Sequence, residues 1–327
     1  MRLVINGFGR IGRTVLRQYL SLPVSEQPRT IWVNDIAPLE TCAYLFRYDS
    51  VFGPYRETVT TSPDGLVIGD RSIRFTREPD LSNLDLSDID LVMECTGKAQ
   101  TRDIAERGLK AGARAILISG PSPAADETIV IGANDEKLAD HTIVSNASCT
   151  TNALAPLLRG LHDELGIESG HMTTIHCYTG SQPMVDAPRD TLERSRAGGV
   201  SMVPTTTSAT KLVGEVLPQL KGKVTGAAVR VPAISVSAVD LVLTLSKPVS
   251  SQINDALQSI FAGSQIVGFT NDPVVSTDMR ARPESLVIQL PETQTCGDRQ
   301  VRIFGWYDNE WGFSARMLDM AKRMTSR

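Results

Sequence analysis

A glycine-rich turn near the N-terminus constrains the fold of this chain more than any other sequence feature. Gly7, Gly9 and Gly12 form the pattern G-x-G-x-x-G between a strand-like segment (Arg2–Asn6) and a segment with helical apolar spacing (Ile11–Ser21). In a dinucleotide fingerprint the first glycine permits a tight turn and the second lets backbone approach a pyrophosphate. The third lets the helix pack closely on the strand. The pattern therefore predicts a dinucleotide-binding βαβ unit.

An acidic residue follows at the distance that the fingerprint requires. The strand-like segment Thr30–Asp35 ends 23 positions after Gly12. A carboxylate there binds the adenosine ribose hydroxyls and repels a 2′-phosphate, so Asp35 favours NAD over NADP. A glycine turn without any ligand is the alternative interpretation.

The rest of the first half alternates strands and helices. Ile89–Gly97, Ala113–Ser119 and His141–Ala147 are strand-like, and a helix is predicted over Thr101–Ala111. Such alternation is typical of an α/β fold with a doubly wound (Rossmann) parallel sheet.

After Cys149 the sequence pattern changes. A helix is predicted from about Thr150, and β-rich segments with alternating character follow, which predicts an α+β catalytic domain with a mainly antiparallel sheet. The polar stretch Ser181–Thr210 is predicted to be a long loop. The predicted domains are an NAD-binding domain at 1–148, a catalytic domain at 149–312 with a long loop at 178–203, and a C-terminal helix at 313–327 that returns to the NAD-binding domain.

Composition excludes several classes of protein. A chain of 327 residues with a net charge of -4 is too long for one small core and unsuited to nucleic acid. Its five cysteines lack the paired spacing of a disulfide framework or a zinc site, so no metal is expected. Apolar runs stay below the ~18–20 residues that span a bilayer, so we expect a cytoplasmic protein without a membrane partner.

The segment SNASCTTN places Cys149 among small polar residues, after a strand and at a predicted helix start. The helix dipole and nearby hydroxyl and amide donors are expected to stabilise its thiolate. His176 ends the strand-like segment MTTIH and could serve as its base. The sequence alone leaves that pairing open. The remaining cysteines are expected to be structural, and these are Cys42, Cys95, Cys177 and Cys296.

Several residues could bind an anion. Arg230 lies among apolar neighbours, where an unpaired charge is costly. Thr179 and Ser181 closely follow His176, and hydroxyl groups and arginines (Arg194 and Arg196 among them) recur in the predicted long loop. Hydroxyls combined with arginine suit phosphate. For any one of these residues, a solvated polar loop is the alternative.

Five motifs in sequence order resemble the phosphorylating glyceraldehyde-3-phosphate dehydrogenase family: INGFGRIGR, SNASCTTN, TTIH, VRVP and WYDNEWGFSARM. They extend over essentially the whole chain. The resemblance implies reversible, NAD-dependent phosphorylating oxidation of D-glyceraldehyde 3-phosphate to 1,3-bisphosphoglycerate. The route would pass through a thiohemiacetal and a thioester on Cys149, with His176 as base. It also implies NAD as cofactor, a small phosphorylated aldehyde and inorganic phosphate as substrates, and a homotetramer.

The resemblance also assigns binding roles by position. The implied cofactor contacts are Gly7, Gly9, Arg10, Ile11, Gly12, Asp35, Arg77, Thr96, Ser119 and Asn309, the last on the nicotinamide amide. The implied contacts of the substrate's own phosphate are Thr179, Ser181 and Arg230. Those of the attacking phosphate are Ser148, Thr150, Arg194, Thr207 and Ser208.

Three departures from the family pattern keep alternatives open. Ser208 replaces a common glycine and would strain the backbone if that site needs a positive φ. Ala153 replaces a common second cysteine, and Phe313 replaces a tyrosine, as in the erythrose-4-phosphate dehydrogenase relatives. That activity is the nearest alternative. A sensor that uses NAD or the thiol without turnover is the alternative from another class. A thiol hydrolase is disfavoured because it gives the dinucleotide motif no role.

Overall fold

The structure is a computed structural model that describes residues 1–249 and 253–326. Its chain divides into two units. The first unit contains Met1–Ile129, Glu136–Ala147 and Ser314–Arg327, and the second contains Val130–Asp135 and Ser148–Phe313. The sequence pattern did not indicate that the short segment Val130–Asp135 belongs to the second unit.

The first unit is built on a nine-stranded sheet with the order β3-β4-β5-β2-β1-β6-β7-β9-β8. Its strands are β1 (Arg2–Asn6), β2 (Thr30–Asn34), β3 (Val59–Ser62), β4 (Gly65–Ile68), β5 (Arg71–Thr76), β6 (Leu91–Glu94), β7 (Ile116–Ile118), β8 (Glu127–Thr128) and β9 (Ile143–Ser145). The pairs β3–β4 and β4–β5 are antiparallel, and the other neighbouring pairs are parallel. The predicted doubly wound parallel sheet is confirmed.

The α-helices described within residues 1–129 are α1 (Arg10–Ser21), α2 (Leu39–Arg47), α3 (Arg102–Ala105) and α4 (Arg107–Lys110). The single helix predicted over Thr101–Ala111 is wrong, because two short helices meet there at Glu106. Its φ of -88° and ψ of 1° interrupt the helical backbone.

The order of the strands explains where a ligand can bind in the first unit. β2 lies on one side of β1 and β6 on the other, so the sheet order reverses at β1. A reversal of this kind opens a crevice at the carboxyl ends of the strands. Asn6, Asn34 and Glu94 end these three strands, and all three are buried.

The second unit is built on an eight-stranded sheet with the order β11-β12-β10-β13-β17-β15-β14, and β16 pairs with β17. Its strands are β10 (Ile167–Cys177), β11 (Val203–Thr205), β12 (Val224–Val231), β13 (Ser237–Leu245), β14 (Val267–Thr270), β15 (Leu286–Gln289), β16 (Gln294–Cys296) and β17 (Gln300–Tyr307). Only β10–β12 and β14–β15 are parallel among the pairs of the described residues, so the mainly antiparallel sheet is confirmed.

The helices in the second half of the chain are α5 (Cys149–Leu165), α6 (Ala209–Val216), α7 (Ile253–Ile260) and α8 (Trp311–Thr325). The prediction of one continuous loop over Ser181–Thr210 is wrong at its end. β11 pairs there with β12, and α6 begins at Ala209. No helix within residues 1–249 and 253–326 is long and apolar enough to cross a membrane.

Candidate active site

The strands β10 and β12 place a histidine beside an arginine. They are parallel, and their register pairs His176 with Arg230. Paired residues of neighbouring strands project to the same face of a sheet, so the two side chains meet. Cys149, the first residue of α5, lies with its Sγ 3.7 Å from His176 Nε2. The structure therefore brings together the cysteine and histidine whose pairing the sequence left open.

The polar residues around Cys149 form the start of α5. Ser148 is the N-cap, and its hydroxyl accepts a hydrogen bond from the Thr151 backbone N–H at 3.1 Å. The side chain of Asn152 donates to the Ser148 carbonyl at 3.0 Å. Capping by serine stabilises a helix start by about 1 kcal/mol. Because Cys149 directly follows this cap, the local sequence determines the position of the thiol at the start of α5.

The buried imidazole of His176 has two possible hydrogen-bond arrangements. Its Nδ1 lies 2.7 Å from the Cys177 carbonyl oxygen and 2.6 Å from an Arg230 guanidinium nitrogen. A protonated Nδ1 donates to the carbonyl and leaves the Nε2 lone pair facing sulfur. An unprotonated Nδ1 accepts from Arg230 and places an Nε2–H beside sulfur. Burial first, and then the Arg230 charge, lowers the pKa of His176 to about 4, so the ring is neutral near pH 7.

The environment of Cys149 differs from the expectation. Burial raises the pKa of the thiol above its ordinary value, against the opposing effects of the Arg230 charge and hydrogen bonds at Thr150. The expected hydrogen-bond donors are present and lower the thiol pKa, but loss of hydration outweighs them. The thiol needs a base, and His176 Nε2 is within reach of it.

Arg230 is only partly satisfied by the protein. One guanidinium nitrogen also donates to the Cys177 carbonyl at 3.1 Å, whereas its buried Nε has no hydrogen-bond partner among the residues described. Burial lowers the pKa of Arg230 against the opposing interactions with Cys149, Tyr307 and Cys177, and the charge of Arg194 lowers it a little further. Arg194 itself donates to the Thr205 hydroxyl at 2.9 Å. Two arginines with spare donors suit an anionic ligand.

The hydroxyl residues predicted to bind phosphate are distributed over the second unit. The Thr179 and Ser181 hydroxyl oxygens lie 2.9 Å apart. Thr207 Oγ1 accepts from the Ala209 N–H at 3.1 Å. Ser208 is exposed and has a φ of -80° and a ψ of -8°, so the positive φ that would have strained a serine is not required here.

Sequence reasoning missed a buried hydroxyl network behind the cysteine and histidine. The Tyr307 hydroxyl lies 2.9 Å from Thr150 Oγ1 and 2.8 Å from Thr174 Oγ1. The Tyr307 ring also packs edge-on against the His176 ring, with centroids 6.1 Å apart. Burial raises the pKa of Tyr307 well above its usual range, so the phenol stays neutral. The position of Tyr307 in the motif WYDNE is the sequence feature that could have indicated this network.

The glycine-rich turn of the first unit lets backbone segments pack closely and leaves space for a ligand. Gly7 has a φ of +92°, and a Cβ there would lie 2.7 Å from the Cys95 carbonyl carbon. A Cβ on Gly12 would lie 2.1 Å from the Gly7 carbonyl oxygen, whereas a Cβ on Gly9 would meet no atom within 4 Å. No side chain caps α1 at Gly9. Open space before an uncapped helix start fits a pyrophosphate.

A cavity of about 250 Å³ adjoins this turn, and Gly7, Gly9, Asp35 and Thr96 are among its lining residues. Asp35 is held by backbone donors, because its carboxylate accepts from the Phe8 N–H at 2.6 Å and the Ala37 N–H at 2.8 Å. The carboxylate that the fingerprint assigns to the ribose is therefore in place at the end of β2. The turn, the open space and this carboxylate fit NAD.

The other predicted cofactor residues have varied surroundings. Arg10, the first residue of α1 before Ile11, forms a 2.5 Å ion pair with Asp49. Arg77 is exposed and donates to the Ile36 carbonyl at 2.9 Å. The Ser119 N–H donates to the Glu94 carbonyl at 2.9 Å.

A buried carboxylate in this cleft was also missed. Glu94 ends β6 and accepts from Asn6 Nδ2 at 2.5 Å and from the Thr96 N–H at 2.9 Å. Asn34 donates to Asn6 Oδ1 at 2.8 Å, so polar side chains from three adjacent strand ends form one network. The sequence feature that could have indicated this buried carboxylate is an acidic residue directly after the apolar run LVM.

Asn309 belongs to the turn before α8 in the second unit. Asp308 organises this turn, because one carboxylate oxygen accepts from the backbone N–H groups of Glu310 and Trp311 at 2.9 and 2.8 Å. The other oxygen accepts from the Ala281 N–H at 2.8 Å. The buried Asn309 side chain places its Oδ1 3.2 Å from Cys177 Sγ.

Comparison with known proteins gives the same result for both parts of the chain. Residues 1–102 match the domain family described as glyceraldehyde 3-phosphate dehydrogenase, NAD binding domain. Residues 148–309 match glyceraldehyde 3-phosphate dehydrogenase, C-terminal domain.

Curated relatives cover the chain almost completely. The chain is 44% identical to a glyceraldehyde-3-phosphate dehydrogenase of Cereibacter sphaeroides, with 99% of this chain and 98% of the relative aligned. It is 46% identical to one of Xanthobacter flavus, with the same coverage. It is also 46% identical to one of Pseudomonas aeruginosa, with 98% of this chain and 97% of the relative aligned.

Proposed function

The chain belongs to the glyceraldehyde-3-phosphate dehydrogenase family of NAD-dependent oxidoreductases, and from this premise we propose that it converts D-glyceraldehyde 3-phosphate to 1,3-bisphosphoglycerate with inorganic phosphate. The observation that carries the proposal is the 3.7 Å approach of Cys149 Sγ to His176 Nε2, beside the partly unpartnered Arg230. It supplies a nucleophile, a base and an anion-binding group in one place.

Cys149 acts as the nucleophile. Its thiol proton passes to His176 Nε2 while Sγ bonds to the aldehyde carbon, and the carbonyl oxygen takes that proton back to give a thiohemiacetal. When bound, NAD supplies the hydride acceptor for the oxidation. His176 Nε2 then removes the hydroxyl proton as the thiohemiacetal carbon loses hydride, which leaves a thioester on Cys149. Attack of inorganic phosphate on the thioester carbonyl releases the acyl phosphate and expels the thiolate, which takes the proton held at His176 Nε2.

One of the two hydrogen-bond arrangements of His176 fits its role as base. With Nδ1–H donating to the Cys177 carbonyl, the lone pair of Nε2 faces Sγ. The low pKa of His176 keeps this lone pair available near pH 7. Because the thiol pKa is raised, attack is favoured when proton transfer accompanies formation of the carbon–sulfur bond.

The anion-binding groups divide between two phosphates. Arg230, Thr179 and Ser181 bind the phosphate of the aldehyde, a role that the unpartnered Nε and the adjacent hydroxyls support. The proposed contacts of the attacking phosphate are Ser148, Thr150, Arg194, Thr207 and Ser208. The hydroxyls of Ser148 and Thr150 already have protein partners, so they orient the helix start as well.

The proposed cofactor contacts are Gly7, Gly9, Arg10, Ile11, Gly12, Asp35, Arg77, Thr96, Ser119 and Asn309. Asp35 favours NAD over NADP, and Asn309 binds the nicotinamide amide. We assign NAD binding to residues 1–148 and 313–327 and catalysis to 149–312. A homotetramer and a cytoplasmic location complete the proposal. Five free cysteines are compatible with a reducing compartment.

The test is steady-state formation of NADH from D-glyceraldehyde 3-phosphate, with and without inorganic phosphate. We expect Cys149→Ser to remove almost all turnover while NAD binding measured by calorimetry is kept. Cys296→Ser, at an exposed cysteine, is the matched control and should turn over like the unmodified protein. Unchanged turnover in Cys149→Ser would refute the proposal.

Two rival functions are separated by the same assay. A clear preference in kcat/KM for erythrose 4-phosphate would assign the chain to the erythrose-4-phosphate enzymes. One equivalent of NADH per protein without further turnover would indicate a sensor.

A further inference from the structure

Cys177, directly after the proposed base, has no role in the reaction described above, yet its contacts are specific. Its buried thiol lies 3.2 Å from Asn309 Oδ1. Its backbone N–H donates to Ser237 Oγ at 3.2 Å, and Ser237 Oγ in turn lies 3.5 Å from the same Asn309 oxygen. Two side chains from β10 and β13 therefore converge on one end of a single carboxamide.

The chemistry of these groups determines how the carboxamide is oriented. Burial raises the pKa of Cys177 to about 12, so the thiol keeps its proton and acts as a donor. Ser237 Oγ uses an acceptor lone pair for the Cys177 N–H, which leaves its hydroxyl hydrogen able to reach Asn309. A carboxamide oxygen accepts from both donors. In the flipped orientation the amide nitrogen would face two donors.

The other end of the carboxamide is left for a ligand. Within residues 1–249 and 253–326, no hydrogen bond uses Asn309 Nδ2. The two donors on Oδ1 therefore turn an unused N–H pair away from Cys177 and Ser237. Such a pair donates hydrogen bonds, and a ligand carbonyl oxygen can accept them.

We propose that Cys177 is a positioning residue, whose S–H, together with the Ser237 hydroxyl, holds the Asn309 carboxamide so that Nδ2 is presented to the carboxamide oxygen of a bound nicotinamide. This inference rests on the proposed function, in which Asn309 contacts the nicotinamide. Holding that amide fixes the rotation of the nicotinamide ring and therefore the ring face turned toward the Cys149 adduct.

The first test compares three full-length variants by calorimetric titration with NAD. Cys177→Ala removes the donor, Cys177→Ser replaces it with a hydroxyl donor, and Cys296→Ala, at an exposed cysteine, is the control. We expect Cys177→Ala to weaken NAD binding roughly two- to tenfold, the size of one lost hydrogen bond. Cys177→Ser should restore binding, and Cys296→Ala should bind NAD like the unmodified protein. Wild-type affinity in Cys177→Ala would overturn the proposal.

A stereochemical measurement separates positioning from general damage to the fold. Reduction of NAD by deuterated aldehyde should place deuterium on one face of the nicotinamide in the unmodified protein and in Cys177→Ser. Cys177→Ala should place a measurable fraction on the other face, because the ring amide is held less firmly. Equal face selectivity in Cys177→Ala and Cys177→Ser would contradict the proposal.

Infrared spectroscopy of the unliganded protein tests the hydrogen bond without any activity. The difference spectrum between the unmodified protein and Cys177→Ser isolates the S–H stretching band of Cys177. Asn309→Ala removes the acceptor, and we expect that band to move to higher frequency. A band that does not move would refute the S–H donor to Asn309.

Asn309→Ala also separates failure of this proposal from failure of the proposed function. If Asn309→Ala weakens NAD binding but Cys177→Ala does not, only the positioning role is wrong. If Asn309→Ala binds NAD normally, the assignment of Asn309 to the nicotinamide is wrong, and the positioning role is wrong with it. Absence of NADH formation by the unmodified protein would instead refute the proposed function.

Discussion

His176 and Arg230 face each other across the parallel strands β10 and β12, with an Arg230 guanidinium nitrogen 2.6 Å from His176 Nδ1. A cation this close opposes protonation of the imidazole. After burial, the arginine proposed to bind the substrate phosphate is therefore the second factor that keeps the proposed base neutral.

Replacing Arg230 should raise the pKa of His176. Burial and the Arg230 charge together lower the pKa of His176 to about 4. Arg230→Gln removes the charge, while the glutamine amide still offers N–H donors. We expect the pKa to move toward the ordinary value of about 6.5. Because a raised pKa protonates Nε2 at higher pH, the acid limb of the pH–rate profile should move to higher pH. NMR titration of the imidazole signals measures the change directly.

The matched control is Arg196→Gln, which removes an exposed arginine that pairs with Asp186. Its His176 titration should coincide with that of the unmodified protein. If Arg230→Gln also leaves the titration unchanged, burial alone sets the pKa of His176.

Tyr307→Phe should destabilise the second unit. The substitution deletes the hydroxyl between Thr150 and Thr174 and leaves both buried threonine hydroxyls without that partner. We expect the free energy of unfolding to fall by about 1–3 kcal/mol, measured by urea denaturation. Tyr44→Phe, at an exposed tyrosine, should change it by less than about 0.5 kcal/mol. Equal stabilities of the two variants would show that the network contributes little.

Ser208→Ala should act on phosphate binding rather than on stability. The side chain of Ser208 makes no capping hydrogen bond at the start of α6, and its φ of -80° suits alanine. If its hydroxyl binds the attacking phosphate, the KM for inorganic phosphate should rise about tenfold, as expected for one hydrogen bond to a charged group. The KM for the aldehyde is the internal reference. A KM for phosphate equal to that of the unmodified protein would remove Ser208 from the site.

Two glycine substitutions should separate binding from folding in the first unit. In Gly9→Ala the new Cβ meets no protein atom within 4 Å but occupies the space proposed for the pyrophosphate. We expect weaker NAD binding with little change in Tm. In Gly12→Ala the new Cβ would lie 2.1 Å from the Gly7 carbonyl oxygen, so both properties should fall. Calorimetry and thermal unfolding distinguish the two, and normal NAD binding by Gly9→Ala would place the pyrophosphate elsewhere.

Oxidation of Cys149 should end in sulfenic acid or mixed disulfides. Ala153, one helical turn further along α5, offers no second thiol, and the buried Cys177 thiol is directed to Asn309. Mass spectrometry after peroxide treatment should therefore find modified Cys149 without an intramolecular partner. An abundant Cys149–Cys177 disulfide would disprove this.

Local patterns made the first unit predictable. The segment RLVIN predicts β1 with the bounds observed, because a covered parallel strand reads as a continuous apolar run. The glycines predict the turn because nearby backbone leaves no room for a side chain. A Cβ on Gly12 would collide with Gly7, and a Cβ on Gly7 would collide with Cys95 just after the end of the neighbouring strand. At Glu106 the same local reasoning failed, since the backbone there departs from the helical pattern that its side chains suggest.

The second unit depended on long-range pairing that no local pattern encodes. The sequence contained both His176 and Arg230, but only the register of β10 against β12 makes them neighbours. The raised pKa of the Cys149 thiol is a second property that local patterns do not encode. The helix start is visible in the sequence, whereas burial of the thiol depends on the tertiary fold.

The order of the chain also has a consequence for biosynthesis. The first unit contains Ser314–Arg327, and the buried residues Met317, Met320 and Ala321 of α8 belong to that stretch. A ribosome makes the strands of this unit first but helix α8 only after the strands of the second unit. The nascent first unit therefore lacks helix α8 while the second unit is translated. Early termination before α8 would release a chain with an uncovered apolar surface, a natural target for chaperones and proteases.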